Sequence, residues 1–148
     1  MNRSDIRNEL LKQHENLRAR IRVLRAVAER CRAGEDVHGE LKRLLTALTD
    51  AVRSHNAYEE QLMSKVFPWL DGWGPIRHEV MNEEHILEHE SLVNALVEMN
   101  GEFDAKDAAR RALVLFEQMQ RHMDREEKVF LGADVLADDE LPPDAFGG

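Results

Sequence analysis

The sequence predicts an all-α protein, an antiparallel up-down-up-down four-helix bundle. Three observations predict it. Breaker-rich stretches, A-G-E-D at 33–36, P-W-L-D-G-W-G-P at 68–75 and N-G-E-F-D at 100–104, cut the chain into four long segments. None of the four has the apolar–polar alternation of a strand. Each instead places core-type positions in steps that alternate four and three, the seam of helices packed at shallow angles.

In the first segment the seam runs Leu10, His14, Leu17, Ile21, Leu24, Ala28, Cys31, with Ser4 as the expected N-cap. In the second it runs Leu41, Leu45, Leu48, Val52, His55, Glu59, Leu62, Val66, with Asp36 as the expected cap. Pro68 ends that segment, and Pro75 suits the first turn of the third, whose seam is His85, His89, Leu92, Leu96, Met99. The fourth runs Ala108, Ala112, Leu115, Met119, His122, Glu126, Val129. Short connections make consecutive helices antiparallel neighbours. Residues 1–134 are expected to form the bundle. The acidic, proline-containing stretch 135–148, which ends in two glycines, reads as a flexible tail.

The chain of 148 residues suits one domain with a single core. A formal net charge of −9 argues against a nucleic-acid partner, whose footprint would be basic. The arginines at 18–32 read as a solvated face. The single cysteine, Cys31, rules out an internal disulfide and a cysteine-based metal cluster, and reads as a small buried hydrophobe. No apolar run is long enough for a membrane span, and the N-terminal residues lack the apolar core of a secretory signal. A reducing cytoplasm is the expected location.

The seams also contain residues that do not belong in a hydrocarbon core: His14, His55, Glu59, His85, His89, His122 and Glu126. Every helix contributes at least one. His85 and His89 fall on one face, about 6 Å apart along the axis. The pair His55/Glu59 is centred 15 residues before Gly72, and the pair His85/His89 is centred 15 residues after it. An antiparallel hairpin therefore sets both pairs at one level. Burying a polar group without a partner costs about 1–3 kcal/mol, and a whole domain is stable by only about 5–15 kcal/mol. A divalent metal satisfies all seven, since neutral imidazole and carboxylate are both good ligands. His38 lies off its seam and His78 lies further along the axis, so neither is expected to join them.

Seven donors exceed what one ion takes. Two octahedral ions, bridged by both glutamates and a shared solvent oxygen, would use every donor and leave one position open. Histidine-rich N/O coordination with an open position suits iron better than magnesium or calcium. The ferritin-like alternative uses Glu-x-x-His motifs. None of the five seam histidines has a glutamate three residues before it.

These motifs resemble the hemerythrin and hemerythrin-like HHE cation-binding family. The pattern is a histidine on the first helix (His14), His-x3-Glu on the second (His55, Glu59), His-x3-His on the third (His85, His89) and a histidine followed by a carboxylate on the fourth (His122, Glu126). The family's internal duplication is visible too: H-E-N-L at 14–17 resembles H-E-S-L at 89–92, and H-N-A-Y-E-E at 55–60 resembles H-M-D-R-E-E at 122–127. The resemblance implies two iron ions. His85, His89 and His122 would hold one, and His14 and His55 the other. Glu59 and Glu126 would bridge them, together with an oxo or hydroxo group. One place departs from the oxygen-carrying members, whose last carboxylate is usually an aspartate five residues after its histidine. Here Glu126 is four after and on the seam, while Glu127 is five after and about 100° round the helix. The seam favours Glu126, with Glu127 as the alternative.

The function expected from this is binding of O2 or a related small ligand at a non-haem di-iron centre. A catalase- or peroxidase-like enzyme consuming peroxide, and an iron or oxygen sensor, are the alternatives. By the same resemblance, the residues three and four before His122, Met119 and Gln118, wall the oxygen pocket. Gln118 would then bring an amide to bound peroxide and favour peroxide reactivity or autoxidation over oxygen carriage.

Overall fold

The computed structural model describes residues 3–65, 75–101 and 104–129, and the side chains of residues 4–62, 83–101 and 104–128. Among these residues the chain forms four helices and no strand: α1 (Arg3–Arg32), α2 (His38–Lys65), α3 (Pro75–Asn100) and α4 (Ala105–Val129). Pro75 opens α3, where its missing N–H costs nothing. Val66, Pro68, Gly72 and the tail from residue 135 lie outside the described residues, as do the side chains of His78 and Val129.

Local chemistry sets the ends. α1 stops in a Schellman turn. Gly34 takes the left-handed conformation at φ 99°, Glu35 N–H donates to the Arg30 carbonyl (3.0 Å), and Gly34 N–H donates to that of Cys31 (3.0 Å). The expected caps shift. Ser4 sits inside α1, which already begins at Arg3. The carbonyl of Val37 accepts the first α2 bond, from Leu41 N–H at 2.9 Å, so the cap position is Val37 rather than Asp36. At α4 the cap is Asp104, from the N-G-E-F-D breaker: its Oδ1 accepts the Asp107 N–H at 3.0 Å.

Each helix packs against two others, α1 with α2 and α4, and α3 with α2 and α4. Neighbours run antiparallel. The end of α1 meets the start of α4 through Cys31 Sγ and the Ala105 carbonyl (3.4 Å), while Arg18 reaches Asp124 (2.9 Å). Thr46 accepts from Asn100 (2.8 Å) across α2 and α3, and Glu98 accepts from Arg111 (3.1 Å) across α3 and α4. His14 lies 18 residues before the end of α1 at Arg32, and His55 lies 17 after the start of α2 at His38, so the short connection levels them.

The seam is the buried stripe. Leu10, Leu17, Ile21, Leu24, Ala28 and Cys31 are buried on α1, Leu41, Leu45, Leu48, Val52 and Leu62 on α2, Leu96 and Met99 on α3, and Ala108, Ala112, Leu115 and Met119 on α4. Leu92 is only half-buried. The stripe is wider than one seam: Ile6, Val27, Ala109, Phe116 and Met123 are buried beside it. A core-facing helix hides an arc of about 100° or more, three to four residues per two turns, rather than a single line. The large apolar cluster around Leu24, Leu45 and Phe116 fills the end near the α1–α2 turn. Ile6, Leu10 and Leu62 close the core beyond His14 and Glu59. The polar layer is thus enclosed between apolar layers.

Candidate metal centre

All seven polar seam residues are buried, His14 completely and the others at 6% exposure or less. They form two groups whose donor atoms lie within 4.8 Å of one another: Glu59, His85, His89, His122 and Glu126, and His14, His55, Glu59 and Glu126. Both carboxylates belong to both groups. Glu59 presents Oε2 to His55 Nε2 (2.9 Å) and His14 Nε2 (3.6 Å), and Oε1 to His85 Nε2 (2.6 Å) and His89 Nε2 (3.4 Å). Glu126 presents Oε2 to His85 Nε2 (2.6 Å) and Oε1 to His122 Nε2 (2.9 Å) and His14 Nε2 (3.5 Å). Glu59 thus turns one oxygen to each group, as a carboxylate that spans two centres does, while Glu126 reaches the second group through Oε1, which lies between His122 and His14.

The donor set fits a cation. The His55 Nδ1–H donates to Gln13 Oε1 at 2.7 Å, and the amide of Gln13 is oriented by its own donation to Glu9 (3.1 Å). The proton of His55 therefore sits on Nδ1, and Nε2 carries a lone pair. His14 Nδ1 lies 3.4 Å from the Glu127 carboxylate, without a hydrogen bond between them. The two Nε2 atoms are only 3.2 Å apart. A cation between them would take a lone pair from each. Among the described residues, both oxygens of Glu59, Glu126 Oε1, His89 Nε2 and both ring nitrogens of His122 are buried without a hydrogen-bond partner. Buried acceptors left this way are costly, and a metal ion satisfies them together.

Electrostatics keep the donors in ligating form. Burial pushes the Glu59 carboxyl up, but the surrounding imidazoles of His14, His55, His85 and His89 outweigh it and hold it well below the usual carboxylate range. Burial brings His122 down to about 4 against the pull of Glu88, so its imidazole stays neutral near pH 7. Burial also raises the Cys31 thiol, consistent with its reading as an inert core residue.

Residues that periodicity passed over stand behind the ring nitrogens. Glu60 Oε1 accepts from His89 Nδ1 (3.3 Å), Glu88 lies 2.8 Å from His122 Nδ1, and Glu127 and Gln13 back His14 and His55. All four are only partly buried, so no hydrophobic seam marks them. The signal that could have found them is adjacency: each sits next to a buried donor on its own helix. Glu127, weighed as a possible ligand, is only partly buried, lies on the outer side of His14, and has its carboxylate held by Arg18. Arg20, Arg22, Arg30 and Arg32 are solvated as expected, but Arg18 is not simply a surface charge.

Gln118 does not wall the site. It is exposed and lines a groove of about 240 Å³ with Arg110, Arg111 and Val114, while Met119 is buried. A step of one residue turns the side chain about 100° round the helix, and only Met119 shares the His122 seam. His38 is half-buried and stays apart from the cluster, as expected. Two surface clefts reach the layer. One, of about 330 Å³, runs between α1 and α2 past Gln13, Asn16, Arg20 and His55. The other, of about 230 Å³, runs between α2 and α3 past Asn56, Glu60 and His89. Among the described residues no helix is long and apolar enough to cross a membrane.

The family model described as hemerythrin HHE cation binding domain matches residues 5–133. No curated protein and no solved structure matches the chain. The match covers all four helices and every residue of the buried cluster. With five histidines and two glutamates gathered in one layer as donors for a cation, the chain belongs to the hemerythrin HHE cation-binding domain family.

Proposed function

We propose that this metal-binding domain is a non-haem di-iron protein that binds O2 or a related small ligand. His85, His89 and His122 hold one ion, His14 and His55 hold the other, and Glu59 and Glu126 bridge the two. The observation that carries this reading is that both buried carboxylates belong to two donor groups, Glu59 with one oxygen toward each and Glu126 with Oε1 between His122 and His14. Five imidazoles with two carboxylates form a mixed N/O set suited to iron, and two carboxylates cannot occupy every position of two octahedral ions. When bound, a pair of irons supplies electrons to a small oxidant and takes them back.

The chain's own residues do the rest. The buried side chains of Ile6, Leu10 and Leu62 on one side and Leu17 and Val52 on the other exclude bulk water. Gln13 and Glu60 accept from Nδ1 of His55 and His89, and Glu127 and Glu88 lie against Nδ1 of His14 and His122, with Nε2 of each ring facing inward. The free thiol of buried Cys31 suits a reducing, cytoplasmic setting. A peroxide-consuming enzyme at the same centre is the alternative reading; the exposed Gln118 removes the amide that would have favoured peroxide reactivity, but not the alternative itself.

The deciding experiment is metal analysis of the purified protein together with optical spectra before and after anaerobic reduction, air and peroxide. Two irons per chain and a reversible spectral change in air are expected. Saturation at a single ion, or occupancy by zinc with no spectral response, would refute the reading.

A further inference from the structure

The four residues behind the ring nitrogens form a closed circuit. Gln13 on α1 backs His55 on α2, Glu60 on α2 backs His89 on α3, Glu88 on α3 backs His122 on α4, and Glu127 on α4 backs His14 on α1. Each is the immediate neighbour of a buried donor on its own helix: Gln13 precedes His14, Glu60 follows Glu59, Glu88 precedes His89 and Glu127 follows Glu126. A residue one step from an inward donor points along the interface toward the next helix, which is why the circuit runs in one direction.

The internal duplication makes the circuit almost symmetric. H-E-N-L at 14–17 matches H-E-S-L at 89–92, so Gln13 is the counterpart of Glu88. Glu60 and Glu127 close the paired motifs H-N-A-Y-E-E and H-M-D-R-E-E and are counterparts of one another. Three of the four positions are acidic, and Gln13 alone is neutral. A carboxylate behind an imidazole strengthens its donation to a metal, and outer partners of this kind are worth about 10- to 100-fold in affinity. An amide fixes the ring but adds no charge. The donors His89 and His122 have a carboxylate each. On the other side His55 has only the amide. The carboxylates behind His14 and His122 are each paired with an arginine, Glu127 with Arg18 and Glu88 with Arg125, so Gln13 is what sets the two sides apart.

We propose that Gln13, Glu60, Glu88 and Glu127 are positioning residues for the metal-ligating histidines, and that the neutral Gln13 makes the His14/His55 position the weaker of two unequal metal positions, filled second and lost first. This rests on the two-ion reading above. Fewer imidazoles already weaken that position; Gln13 weakens it further, and it is the contribution that a substitution can reverse.

The test is anaerobic titration of the metal-free full chain with Fe(II) against a chromophoric chelator, repeated with Co(II), whose d–d spectrum reports each position separately. A bare Gln13→Glu change would set a carboxylate against Glu9, so the informative variant is the exchange E9Q/Q13E, with E9Q as its control. Wild type should bind two equivalents in separate steps. E9Q/Q13E should tighten the weaker step about tenfold and leave the tighter one in place. Glu88→Gln should do the converse, weakening the tighter step about tenfold. Unchanged steps in E9Q/Q13E, equal shifts in both, or two indistinguishable steps in wild type would overturn the inference while leaving two ions bound. A single equivalent in wild type would overturn the two-ion reading with it.

Discussion

Glu127 and His14 sit 3.4 Å apart, carboxylate oxygen to Nδ1, on the outer side of an imidazole whose Nε2 faces the buried cluster. The adjacent Glu126 is turned the other way, 2% exposed and against His85 and His122. Two consecutive glutamates on one helix thus face different ways, because one residue of helix is about 100° of rotation.

Glu126→Ala should therefore lose metal outright, since it removes an oxygen from each donor group. Glu127→Ala should keep full metal stoichiometry but bind about 10- to 100-fold more weakly, the effect of losing an outer partner. Arg18 orients Glu127, so Arg18→Met should resemble a milder Glu127→Ala. Metal counts per chain check all three. Metal lost completely from Glu127→Ala and retained by Glu126→Ala would reverse the assignment.

Removing metal should cost stability. A ligand held only by the folded state stabilises it by mass action, about 4 kcal/mol at a thousand times its Kd. The metal-free core is left with the unpartnered oxygens of Glu59 and the unpartnered Nε2 atoms of His89 and His122. Chelation followed by thermal unfolding should lower Tm by many degrees. An unchanged curve after verified metal removal would show that the layer satisfies itself.

The metal-free protein should weaken in mild acid. Burial holds His122 at about 4 in the folded state, against an ordinary 6.5 when unfolded. Between those values the unfolded chain binds a proton that the folded chain refuses, so stability falls as pH is lowered through the window. Glu59, held below the usual carboxylate range, adds a loss of the same sign at lower pH. The urea midpoint of the metal-free protein should be lower at pH 5 than at pH 7, and His122→Gln should shrink the difference. A midpoint that rises toward pH 5 would contradict this.

Phe116 is fully buried in the apolar cluster, away from the polar layer. Phe116→Ala should cost about 3–5 kcal/mol through the cavity it leaves, with metal stoichiometry unchanged. Loss of metal from the folded variant would mean that the two halves of the core are coupled.

The sequence by itself determined the fold class, the seam and the seven inward donors. Alternating three-four spacing at Leu17, Ile21 and Leu24 can only be buried by helix packing. A histidine or glutamate on the same stripe, such as His89 or Glu59, has to point where the leucines point. The side-chain directions are set by helical rotation alone, and that is local. The tertiary structure decided which partners those groups face across the bundle. Glu60 behind His89, Glu88 behind His122, Gln13 behind His55 and Arg18 on Glu127 each join residues on different helices. Such contacts depend on which helices are neighbours and on their relative height to within a few ångströms. One-residue offsets from the seam also decided Gln118, which a count back from His122 had placed at the pocket and which faces solvent. A half-buried glutamate looks like any surface charge in a periodic pattern; only the neighbouring helix shows that it faces a ring nitrogen.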